Sequence, residues 1–146
     1  MNLKDFKTCY LLLLIVSLFL TSCGGKKEVK QVSPDAKLSQ EAFALADTLK
    51  NAYEKKDHET LEKNSTEDGY AELIGEIKAF DSAELTFTPT WVEIRDSKVY
   101  LTVSWIGTWT AKGKVSEERG VAVFVFEGRP LKLAHIQRSN PFIQPE

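Results

Sequence analysis

Residues 99–110 read VYLTVSWIGTWT, and residues 119–127 read RGVAVFVFE. In the first stretch Val99, Leu101, Val103, Trp105, Gly107 and Trp109 share one face of an extended chain, with smaller or more polar residues between them. That alternation is the signature of a strand with one buried side. The second stretch is apolar at successive positions, as a strand covered on both faces would be, and so belongs inside a sheet. The residues around them supply the punctuation. Arg95-Asp96-Ser97-Lys98 is a polar turn, residues 111–114 turn around Gly113, and Glu127-Gly128-Arg129-Pro130 turns the chain again. Leu131, Leu133, His135, Gln137 and Ser139 alternate along a closing strand, and Asn140-Pro141 ends it. Upstream, Leu85, Phe87 and residues 91–94 form one long irregular strand. Pro89 interrupts it, which predicts an edge position or a bulge.

Before residue 80 the apolar period changes from 2 to 3.6. Ala42, Phe43, Leu45, Ala46, Leu49, Ala52 and Tyr53 form a helical stripe, with Ser39 as its expected cap and an end near Lys56. Asp57 caps a second, short helix with Leu61 inward. Asp68-Gly69 breaks the chain, and Tyr70, Leu73, Ile74 and Ile77 form a third stripe ending near Phe80. Helices followed by hairpin-linked strands predict an α+β domain. Its N-terminal helices pack on a strongly curved, mainly antiparallel sheet of four or more strands, with a pocket at the open end. Pro89 and Gly107 are the expected bend points.

Composition narrows the function classes. The chain has 146 residues, 19 basic and 21 acidic, for a net charge of −2. A balance so close to zero gives no reason to expect nucleic acid as a partner. Two cysteines exclude a disulfide-rich scaffold and a four-thiolate metal site. Two histidines, His58 and His135, lie too far apart in sequence and setting to predict a metal centre. No phosphate-cradling glycine loop, nucleophile elbow or zinc-protease motif occurs, and no cofactor is expected.

The first segment reads as an address. Lys4 and Lys7 precede an uncharged run, residues 10–20 (YLLLLIVSLFL), too short for a membrane span of about 20 residues. Leu20-Thr21-Ser22-Cys23 follows and resembles the bacterial lipobox. The resemblance implies a signal peptide over residues 1–22 and cleavage before Cys23, which becomes an acylated N-terminus. A flexible tether then covers residues 23–37, and the folded domain covers residues 38–146. Gly24, rather than Asp, after the cysteine implies the periplasmic face of the outer membrane in preference to the inner membrane. Residues 24–37 hold four lysines against one Glu and one Asp, a mild attraction to anionic headgroups.

The domain also resembles a known superfamily. Ala52-Tyr53-Glu54-Lys55-Lys56-Asp57, Trp105-Ile106-Gly107-Thr108-Trp109, Arg119-Gly120-Val121-Ala122-Val123-Phe124 and His135-Ile136-Gln137-Arg138-Ser139 are similar to motifs of the nuclear transport factor 2-like (NTF2-like) superfamily. That superfamily's α+β cone houses SnoaL-like cyclases, ketosteroid isomerases and inert binding modules. The resemblance covers residues 38–146 and implies the cone fold. No residue here matches the isomerases' base and oxyanion positions.

The candidate pocket residues are His135, Gln137, Tyr53, Trp91, Trp105, Trp109 and Phe126. An imidazole titrates near neutrality and suits a base or a polar contact. The aromatic residues suit an apolar or planar ligand, ordinary core packing, or a sheet-to-sheet homodimer face. Asp68, Asp81, Glu84 and Glu93 serve acid–base work or turn and cap roles equally well. The leading expectation is a lipid-anchored, non-catalytic module that binds a small apolar or aromatic ligand or a protein. The alternative is a SnoaL-like isomerase, cyclase or hydratase acting by proton transfer in the cone.

Overall fold

The computed structural model describes residues 33–143. The expected signal peptide, Cys23 and the tether up to residue 32 lie outside the described residues. Three helices, α1 (Pro34–Glu54), α2 (His58–Lys63) and α3 (Glu67–Glu76), precede four strands, β1 (Ser82–Arg95), β2 (Lys98–Ala111), β3 (Lys114–Glu127) and β4 (Lys132–Arg138). The strands form one antiparallel sheet in the order β1-β2-β3-β4.

The first helix starts earlier than its apolar stripe suggests. Ser33, not Ser39, is the cap: its side chain accepts from the Ala36 amide, Pro34 opens the helix and Asp35 sits in the first turn. Proline is pre-organised for that position and an acidic residue is favoured there by the helix dipole, so residues 34–37 are helix and not tether. Ser39 lies inside the helix, with its hydroxyl donating to the Asp35 carbonyl. Asp57 caps α2, accepting from the Thr60 amide and hydroxyl. Those bonds hold its carboxyl below the ordinary range.

The third helix overturns the expected break at Asp68-Gly69. Thr66 caps it, accepting from the Gly69 amide, so Asp68 and Gly69 belong to its first turn and the helix ends at Glu76, not Phe80. Gly69 is needed for close approach. A Cβ there would lie 2.4 Å from the Leu133 carbonyl oxygen and 2.9 Å from that of Ala134. Beside it the Thr66 amide donates to Leu133 O and the Leu133 amide donates to Asn64 O, which covers the outer edge of β4.

Two hairpins use paired left-handed residues. Asp96 and Ser97 (φ 51° and 61°) join β1 to β2, and Lys112 and Gly113 (φ 50° and 74°) join β2 to β3. Such turns match the twist of the strands they connect. The sheet's inner face carries Leu85, Val99, Leu101, Val103, Trp105, Trp109, Ala122, Phe124 and Phe126, all buried. α1 packs on β1 and β2, and α3 on β4. Two glutamates of α1 fasten it to opposite sides of the sheet. Glu41 accepts from the Leu131 amide at 2.9 Å, and Glu54 from the Leu85 amide at 2.6 Å.

Candidate functional site

The interior of the cone is built from side chains on four elements. Tyr53, near the end of α1, meets Trp109 of β2, whose Nε1–H donates to the Tyr53 hydroxyl at 2.8 Å. Burial pushes the Tyr53 phenol up to about 12, against the opposing pull of that hydrogen bond. Trp105 stands edge-on to Trp109 at 6.3 Å and donates through its own Nε1–H to the Ser139 carbonyl. Phe126 stacks on Phe124 at 5.9 Å. The last described turn then folds back over them. Phe142 is fully buried, 5.0 Å from the Tyr53 ring, 6.0 Å from Phe124 and 6.1 Å from Phe87. Asn140 fixes that turn, accepting from the Phe142 amide and donating to Glu76 of α3. Tyr53, Trp105, Trp109 and Phe126 are therefore buried in the core, and Phe142 closes over Tyr53, Phe87 and Phe124.

The other three expected pocket residues stand outside the cone. Strict alternation puts His135 and Gln137 on the face of Leu133, but a bulge changes the face. Phe126 pairs with Leu133 and Val125 with His135, so Ala134 is the extra residue on β4. After it Ile136 points in, and His135 and Gln137 are exposed. His135 Nδ1 lies 2.7 Å from Glu72 Oε2, on the outward side of α3. A second irregularity does the same to Trp91. The β1–β2 register shifts between Pro89 and Trp91, and the indole is 68% exposed opposite Thr102. Among the described residues no group of three or more His, Cys, Asp or Glu side chains is placed to hold a metal.

One open concavity beside this core lies at the junction of α1, α2 and the segment before β1. It is a cleft of about 350 Å³ with an apolar floor of Tyr53, Leu61, Ile77 and Phe80. Lys56, His58 and Lys78 stand on its rim. Sequence analysis does not assemble this cleft, because its walls come from three separated segments. Lys56 sits there at a cost. It is the residue after the helix cap, at φ 58°, with the Asp57 amide donating to Ala52 O and its own amide to Tyr53 O. Glycine is the ordinary occupant of that position, and a side-chain-bearing residue pays about 1–2 kcal/mol for the left-handed backbone. The Lys56 ammonium donates to the Asp81 carbonyl at 3.0 Å and lies 5.1 Å from the Phe80 ring centre.

Helices laid on the hollow side of a curved four-stranded antiparallel sheet define an α+β cone of the NTF2-like kind. Two solved structures share it. An NTF2-like superfamily protein from Salmonella enterica serovar Typhimurium LT2 aligns with a TM-score of 0.59 and 14% identity, over 73% of this chain and 93% of that one. A conserved protein from Planctomyces limnophilus DSM 3776 aligns with a TM-score of 0.54 and 15% identity, over 69% of this chain and 97% of that one. At such identities the likeness carries the fold alone. No family model matches the sequence, and neither does any curated protein.

Proposed function

We propose that this chain is an acylated envelope protein that works by binding a protein surface. Cys23 carries the lipid and places the domain at the periplasmic face of the outer membrane. The outer face of the sheet is the docking surface, and a second copy of the chain is its occupant. The observation that carries this reading is the contrast between the two faces of one sheet. The inner face is filled with aromatic rings, while on the outer face Trp91, Val115 (70%) and Ile106 (51%) are exposed together with Val121. All four fall on the same side by register, opposite Thr102, Thr110, Arg119 and Ser104 respectively. Exposed apolar side chains spread along one sheet face, with Arg119 among them, suit a protein interface. A sheet face that meets its own copy across a two-fold axis needs no other partner. The lipid anchor is supported by the order of basic start, apolar run, small residues and cysteine at residues 4–23. Sedimentation equilibrium of the full chain in detergent tests the docking surface. The native chain is expected to sediment as a dimer, and Ile106→Glu as a monomer with an unchanged melting temperature. A native monomer would remove the second copy as the occupant.

A further inference from the structure

The cleft at the junction of α1, α2 and the segment before β1 combines an apolar floor with basic side chains at its edge. Its floor is apolar, and Lys56, His58 and Lys78 stand on its rim. The folded domain as a whole is acidic, with 13 basic and 18 acidic residues over positions 38–146, so the Lys56 ammonium beside an apolar floor runs against the general balance. The backbone adds a second, independent observation. Lys56 holds a left-handed conformation that glycine would adopt without strain. A strained side chain held at a cleft directs attention to what that side chain does there.

From these observations we propose that the cleft binds a small carboxylic acid with an apolar body. The body lies on Tyr53, Leu61, Ile77 and Phe80, and the carboxylate meets the rim. An ammonium has three N–H donors, and Lys56 uses one of them on the Asp81 carbonyl. That bond holds the ammonium in place, with N–H groups left for the carboxylate. A volume of about 350 Å³ is at the small end of ligand sites, so the acid is compact. The cleft is separate from the sheet face, and this inference does not depend on the proposed docking there.

Titration calorimetry of the full chain with 2-naphthoate and with the neutral 2-naphthalenemethanol tests it. The acid is expected to bind about tenfold more tightly than the alcohol. Lys56→Gly should weaken the acid about tenfold while leaving the melting temperature level or higher, because the backbone strain is relieved as the charge is lost. Lys56→Gln, which keeps a donor for Asp81 O, should weaken it similarly. Ala79→Trp, which fills the cleft from its exposed edge, should abolish binding of both probes. Equal affinity for acid and alcohol, or unchanged acid affinity in both Lys56 variants, would overturn the proposal. A melting temperature lowered in Lys56→Gly with acid affinity intact would make Lys56 a structural staple and overturn it as well.

Discussion

Phe142→Ala is expected to destabilise the domain by about 3–5 kcal/mol, although it lies next to the last described residue. Chain ends are ordinarily tolerant of change, but this ring is fully buried and contacts three others, Tyr53, Phe87 and Phe124. Truncating it removes apolar surface from the centre of the core and leaves a void that neighbours held in the sheet cannot close. The same variant tests what the C-terminal turn does to the cone. A void lined by aromatic rings should accept benzene or indole, and either compound should raise the variant's melting temperature by mass action while leaving the native chain unchanged. Thermal unfolding with and without the compound measures both effects. A variant as stable as the native chain would show that Phe142 does not plug the cone.

Trp109→Ala is expected to cost about 4 kcal/mol or more. The indole is completely buried, and its N–H is bonded to the Tyr53 hydroxyl. Its ring also occupies the space where Gly107 lacks a side chain: a Cβ on Gly107 would come within 2.3 Å of it. The loss is therefore a cavity of the largest side chain plus an orphaned buried hydroxyl. Trp91→Ala, on the exposed side of the same sheet, should change the stability of the monomer by less than about 0.5 kcal/mol. Chemical denaturation of both variants separates the two tryptophans, and comparable losses would contradict their assignment to opposite faces.

The difference between those tryptophans marks where sequence reasoning succeeds and where it stops. Trp105 and Trp109 sit in an unbroken alternation, so their shared face follows from period alone, and β2 pairs without interruption along its length with β3. Pro89 announced an irregularity in β1 but not its sense, and the shift beside it turned Trp91 outward. Nothing in LAHIQ announces the bulge at Ala134, so strict alternation puts His135 and Gln137 on the face that Ile136 occupies. In the sequence Gly69 looks like a helix breaker because glycine usually is one. Its contact with the carbonyls of β4, some 64 residues away in sequence, is a tertiary fact. The same holds for Phe142 and for the cleft at Lys56, whose walls meet only once the helices have packed. Helix and strand types were legible because they depend on local periods. The candidate site was not, because one inserted residue reverses a strand's faces.

The proposed function rests on that reversal. With Trp105, Trp109 and Phe126 buried and His135 outside, the proposed docking surface is the back of the sheet, separate from the cleft at Lys56. A photo-crosslinking residue placed at position 106, compared with one in place of the exposed Phe43 on α1, tests this most directly in living cells. An adduct of twice the chain's mass is expected from position 106 and none from position 43. Capture from position 43 alone, or no adduct from either, would contradict it.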